Sequence, residues 1–232
     1  MYIVFLIVLA IIFAIVPLLD AFNGKEAKNT PMVVDKEKAK CKSYYGTIAF
    51  FWVLVLPILI MCIIGGVSLV DIGFRPIMFN QNIWFTVIVL VAAFALFVYE
   101  FVIPVASKKY REQMLKDEPE AIDELPQTVK QKWLYTFQTL SSAVCEETVY
   151  RGFLFFLLLA VFPGMPIYLI ILIAFVTFGI GHLYQGLKGA VEIGLFGALS
   201  MSLIIVTNSL IPSILLHFFG DFAPTFMIRK RN

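Results

Sequence analysis

Two adjacent carboxylates and a guanidinium interrupt an apolar run in Cys145-Glu146-Glu147-Thr148-Val149-Tyr150-Arg151. A charge at the centre of a membrane helix costs about 2.5–3.5 kcal/mol on insertion-based scales, so three together are expected only where they face partners or water inside a bundle. On a helix, Glu147 and Arg151 stand four apart on one face with the acid N-terminal, the favourable order for an ion pair. Glu146 is rotated by about 100° from its neighbour and has no cation close in sequence. The spacing divides the labour. Glu147 with Arg151 forms a paired scaffold, and Glu146 in a low-dielectric cavity is suited to take a proton from water. The competing reading is a buried salt bridge that only fixes helix packing, and the second glutamate weighs against it.

Both histidines of the chain fall in apolar stretches. His182 ends Phe178-Gly179-Ile180-Gly181-His182, with Phe178 one turn before it on the same face. His217 opens His217-Phe218-Phe219-Gly220-Asp221, with Asp221 one turn after it. A lone histidine in an apolar helix is more often a satisfied core residue than a catalytic one. Here every histidine lies inside a predicted span and one has a carboxylate at i+4, which favours a functional reading. Phe178 by itself reads as packing.

The elements that must position these groups are membrane helices. Of 232 residues, 60% are hydrophobic and 15% charged, with 23 Phe, which excludes an ordinary soluble domain. The expected fold is all-α: a polytopic membrane protein with about seven transmembrane helices, forming a single membrane domain over 1–232 with a catalytic cavity inside the bundle. The spans are Tyr2 to Leu19, Tyr44 to Ile64, Ile83 to Ala106 with a kink at Pro104, Trp133 to Phe162, Pro166 to Leu183, Gly189 to Val206 and a short Leu210 to Ile228. No Lys or Arg precedes the first span and no small-x-small cleavage site clearly follows it, so it reads as an uncleaved helix. Asp20 to Ser43 reads as a polar loop, and Ser107 to Lys132, charged in both signs, as a surface helix and linker broken near Pro119 and Pro126. Residues 1–132 thus hold three helices and a charged segment, and 133–232 hold the core that carries the chemistry. Gly186, Gly189, Gly194 and Gly197 predict close packing of the sixth helix. Cys41, Cys62 and Cys145 form no CxxC pair and read as buried thiols. Cys145 adjoins Glu146 but is rotated away from it, with nothing local to activate the sulfur.

The basic residues test the count. The loops after the first, third and fifth spans and the C-terminus hold six, six, one and three Lys or Arg, against Arg75 alone on the other side. By the positive-inside rule the N-terminus lies outside and the C-terminus in the cytoplasm. Glu146 then lies roughly 20 Å from the cytoplasmic start of its helix, and His217 about 10 Å from the outer end of its own, which matches within error. His182 comes out nearer the cytoplasm, which predicts a cavity open to that side.

Glu-Glu-x-x-x-Arg on one helix, Phe-x-x-x-His on the next and His-x-x-x-Asp on a later one, in order across Glu146 to Asp221, resemble the CPBP family: the type II CAAX prenyl endopeptidases and bacteriocin-processing or immunity proteins. The resemblance covers the C-terminal part of the chain and nothing distinctive in the first three helices. It implies an intramembrane endopeptidase. In that reading Glu146 is the general base that activates water with His182, while His217 and Asp221 polarise the scissile carbonyl or stabilise the oxyanion, and Glu147, Arg151 and Phe178 give support. Family members with Asn at the last position can donate to an oxyanion; an ionised Asp221 cannot, so it is protonated or orients His217. Glu146, His182 and His217 would also suit a catalytic zinc, but His-Glu-x-x-His is absent and a Glu/His site works without metal, which is the expectation here.

The implied partners are a peptide or membrane-protein substrate and the lipid bilayer, with no nucleic acid. The small size points to a prokaryotic plasma membrane. A non-catalytic alternative on the same fold is a binding protein that confers bacteriocin immunity or scaffolds a sensor kinase. A proton-relaying transporter would need paired repeats or broken helices, which the sequence does not show.

Overall fold

Long apolar runs with no water to satisfy their amides must pair every N–H and C=O internally, and this chain does so with helices alone among its described residues. The computed structural model describes residues 1–11, 36–79, 81–117 and 125–226. The helices in chain order are α1 (Tyr2–Ile11), α2 (Lys36–Gly65), α3 (Ile83–Ala106), α4 (Lys108–Asp117), α5, α6 (Ile167–Gly181), α7 (Gly186–Thr207) and α8 (Ile211–Phe222). Helix α5 is made of Val129–Glu147, one π-helical turn over Thr148–Phe153, and Leu154–Val161. Together they form an all-α polytopic membrane protein.

Among the described residues, three segments are long and apolar enough to cross a bilayer by themselves: Glu37–Gly65, Ile83–Ala106 and Leu183–Thr207. Several expected boundaries move. Helix α2 starts at Lys36, eight residues before the expected Tyr44, so the lysine-rich end of the predicted loop is helical. Helix α5 starts at Val129 rather than Trp133, because Thr128 and Gln131 form a reciprocal capping box that the Thr-x-x-Gln spacing encodes. Helix α8 is only 12 residues long and ends in a 3₁₀ turn, Ala223–Phe226, so it is shorter than the predicted Leu210 to Ile228. The latter half of the first predicted span, most of the Asp20 to Ser43 loop, the break at Pro119 and the end of the last span lie outside the described residues. The bend expected at Pro104 is preceded by a π turn, Val98–Val102.

Helix α5 is the centre of the bundle. Its Val149, Phe153 and Leu157 are fully buried in the main core with Leu9 of α1, Ile58 of α2, Ile170 of α6 and Met201 of α7. Trp52 of α2 donates its indole N–H to Ser141 of α5 at 3.2 Å. Helices α6 and α7 pack through glycine: a Cβ on Gly194 would lie 3.0 Å from the Phe175 carbonyl, and one on Gly197 3.0 Å from that of Ala174. The close approach expected of the glycine series therefore falls on these two. Gly186 instead turns the chain into α7 at φ +83°, and Gly189 faces Gln185, the residue just before that helix. The three cysteines are free and buried.

The loop from α2 to α3 is tied to the α7–α8 turn. Leu210 N–H donates to the Gly73 carbonyl at 2.8 Å and Ser209 Oγ to the Arg75 carbonyl at 2.6 Å. Arg75, the lone base on its predicted side, donates from Nε to the Asn208 carbonyl at 2.7 Å, where the α7 C-terminus turns through left-handed Asn208. A cation at a helix C-terminus meets the negative end of the helix dipole. In the same loop, hydrogen bonds from the Ser68 hydroxyl and amide hold the exposed Asp71 carboxyl below its ordinary range.

Gly152, in the π turn of α5, lies under this loop: an added Cβ would strike the Ile72 carbonyl and come 2.8 Å from Leu210 Cδ1. Gly152→Ala should destabilise the protein by about 1–3 kcal/mol through overpacking, whereas Gly46→Ala, with nothing within 4 Å, should be neutral or stabilising. Thermal unfolding in detergent checks this, and equal midpoints for the two variants would refute the packing account.

Candidate functional site

Glu146, Glu147 and Arg151 are each almost wholly buried on α5, at and just before its π turn. Arg151 Nη1 lies 3.2 Å from Glu147 Oε1, the ion pair expected from the i,i+4 spacing. The guanidinium carbon sits 3.7 Å from the centre of the Phe178 ring, a cation–π contact between α5 and α6. The contact with Glu147 is a close ion pair without hydrogen-bond alignment, since no guanidinium nitrogen has a well-aligned acceptor. Phe178, which sequence alone reads as packing, is thus the lid over the buried charge.

Glu147 does more than pair with Arg151. Its Oε1 also lies 3.0 Å from His217 Nδ1, and its Oε2 accepts a short hydrogen bond from the Ser213 hydroxyl. A carboxylate is an acceptor, so Nδ1 of His217 carries the proton and Nε2 is turned toward the cavity. There Nε2 lies 3.4 Å from Asp221 Oδ2 and 3.9 Å from Glu146 Oε2. The sequence reading made Asp221 the partner of His217. The structure places two carboxylates on the ring, with the buried Glu147 on Nδ1 and the half-exposed Asp221 on Nε2.

His182 caps the C-terminus of α6, half-buried, with Nδ1 at 2.9 Å from the Phe178 carbonyl. A carbonyl only accepts, so His182 also holds its proton on Nδ1 and has Nε2 free. Glu146, His182, His217 and Asp221 all line one cavity of about 550 Å³, together with Ser142, Phe178, Phe196 and others. Ser142 donates to Glu146 Oε1 at 3.3 Å and holds that oxygen from one turn back on the same helix. The cavity runs past Tyr184 and Gln185 at the α6–α7 connection and Glu192 early in α7.

Three lining or supporting residues escaped sequence reading. Ser142 and Ser213 each precede a site residue by four, Glu146 and His217 respectively, so an i,i+4 search would have found them. Glu100, on α3, also lines the cavity. Its signal was present as a carboxylate inside an apolar span, although the first three helices looked undistinctive. Phe196 and Tyr150, packed on Phe178, have no sequence signal beyond hydrophobicity.

A catalytic zinc would need Glu146, His182 and His217 to converge as ligands. Among the described residues no group of three His, Cys, Asp or Glu is arranged to hold a metal ion. His217 holds Nδ1 on Glu147 and His182 holds Nδ1 on a carbonyl, so both rings keep Nε2 toward the cavity, and the chemistry below is derived from the protein's own groups.

A helical membrane bundle with buried carboxylates and histidines converging on one internal cavity defines the class of this protein. Residues 128–223 match the family model described as type II CAAX prenyl endopeptidase Rce1-like, the family that the three motifs resemble. No curated protein and no solved structure matches the chain.

Breaking the buried pair from one side leaves a lone cation in the core. Glu147→Ala should therefore destabilise the protein by about 3–5 kcal/mol, while Glu147→Gln combined with Arg151→Met should recover much of that loss. Equilibrium unfolding in mixed micelles measures both, and a fully stable single variant would mean that Arg151 has another counter-charge.

Proposed function

We propose that this protein is an intramembrane endopeptidase that hydrolyses a peptide bond of a lipidated, membrane or precursor-peptide substrate near the cytoplasmic face, using a water activated by Glu146. The supporting observation is that Glu146, His182, His217 and Asp221, carried by three helices, line one cavity within the family-matched residues.

Glu146 takes the proton of the attacking water, whose oxygen bonds to the scissile carbonyl carbon. His182 offers Nε2 to the same water and steadies its orientation. His217 holds Nδ1–H on Glu147, and a second proton on Nε2 makes the ring a cationic donor to the carbonyl oxygen as negative charge develops there. Asp221 stands beside Nε2 and balances that charge, an orienting role that an acceptor-only carboxylate can fill. When the carbon–nitrogen bond breaks, the proton held by Glu146 passes to the leaving nitrogen, which returns the carboxylate to its starting form. Glu147, Arg151, Ser213 and Phe178 keep His217 in register. Removal of a general base costs typically about 10²–10⁴ in rate.

Peptide termini in membranes and medium are to be compared by mass spectrometry between cells carrying wild type and cells carrying Glu146→Gln at equal abundance. Termini that vanish in the variant support proteolysis and identify the bond. Identical termini, with the deletion phenotype still rescued by the variant, would sink the enzyme reading and leave a binding protein of the immunity or scaffold type. Cleavage by purified protein should survive a strong chelator; loss that is restored by zinc would overturn the metal-free mechanism.

The distribution of Lys and Arg supports an N-terminus outside and a C-terminus in the cytoplasm. A reporter fused after Asn232 should be active only if it folds in the cytoplasm, and activity of an export-dependent reporter at that position would reverse the orientation.

A further inference from the structure

We infer that Glu100 forms, inside the cavity, a subsite for a cationic side chain, so that the substrate carries a lysine or arginine close to the scissile bond. The inference rests on the proteolytic reading for the word substrate, and on the following geometry for the subsite.

Glu100 lies in the π turn Val98–Val102 of α3, outside the family-matched residues. The turn directs its carboxylate onto α8: a Cβ on Gly220 would come 2.8 Å from Glu100 Oε2, which sets the carboxylate beside Asp221. Both residues line the 550 Å³ cavity with Glu146 and Glu192, and no Lys or Arg is among its lining residues. The other three carboxylates have partners. Glu146 has Ser142, Asp221 has His217, and Glu192 at the rim has Lys188 at 3.7 Å. Glu100 makes no hydrogen bond or ion pair with any other described residue. Arg151, the one Lys or Arg buried in this part of the core among the described residues, is committed to Glu147 and Phe178.

A second, separate group points the same way. Gln138 lines the same cavity, and its Oε1 is buried with no hydrogen-bond partner. A carboxylate and an amide oxygen that are both without a donor among the described residues share one need. Lys and Arg side chains are the donor-only groups that also bring positive charge. A hydroxyl or amide side chain would satisfy Gln138 but bring no positive charge to Glu100 within an apolar span. An acidic side chain would be repelled by the whole lining.

The test is binding to the full chain carrying Glu146→Gln in lipid nanodiscs, so that bound peptide is not cut. The probes are an apolar helical peptide with one central Lys and its counterpart with Gln at that position. The Lys peptide should bind about tenfold tighter, on the scale of one charge-assisted hydrogen bond. Adding Glu100→Gln should bring the ratio near one, and Glu100→Asp should keep most of it. A ratio near one before Glu100 is changed, or a ratio unaffected by Glu100→Gln, overturns the subsite. If Glu100→Gln abolishes binding of both peptides, Glu100→Asp decides: a retained preference supports the inference and a lost one overturns it. Wild-type protein is incubated with the same peptides in parallel. Preference without cutting would sink the proteolytic reading and keep a cation-binding site, whereas cutting without preference would sink the subsite alone.

Discussion

The Glu147 carboxylate holds the site together. It pairs with Arg151 on its own helix, accepts from Ser213 and fixes Nδ1 of His217 on α8, so three partners on two helices converge on one fully buried group. A buried ion pair is seldom a net source of stability, because desolvation offsets the Coulomb gain. What it supplies is direction: α8 can dock on α5 in few ways that keep all three contacts. The other constraints follow. Phe178 must cover the Arg151 guanidinium, which sets α6 against α5, and the α6–α7 glycines must let α7 close behind it.

The same arrangement explains why two histidines of ordinary sequence context can act differently from core residues. Each has one ring nitrogen tied back to the protein, His217 to a carboxylate and His182 to a main-chain carbonyl. Each therefore presents a single defined nitrogen to the cavity, and the orienting group fixes which one. The π turn in α5 lies immediately after the two glutamates, an interruption of regular helix of the kind often found at functional sites.

The N-terminal helices take part in the site although the family-matched region begins at residue 128. Helix α2 is bound to α5 through Trp52 and Ser141, the α2–α3 loop closes the α7–α8 turn, and α3 lends Glu100 to the cavity wall. The division into an undistinguished N-terminal half and a C-terminal core therefore describes sequence signal better than it describes the cavity.

Much of the architecture was legible in the chain itself. Hydropathy and the absence of soluble-domain composition determined an all-helical membrane protein, because a bilayer leaves the backbone no other way to satisfy its polar groups here. The spacing of Glu147 and Arg151 determined their pairing, since i and i+4 share a helix face whatever the surroundings. Helix ends were less legible: Thr128 and Gln131 encode the start of α5, but an apolar count that begins at Trp133 passes over a cap made of polar residues. What only the tertiary structure decided is which groups meet across helices. Glu147 rather than Asp221 takes Nδ1 of His217, Phe178 lies on Arg151, and Glu100 reaches Gly220, because such contacts depend on the rotation and depth of each helix in the bundle. Periodicity defines a face for every helix, and only packing decides which faces turn toward one another.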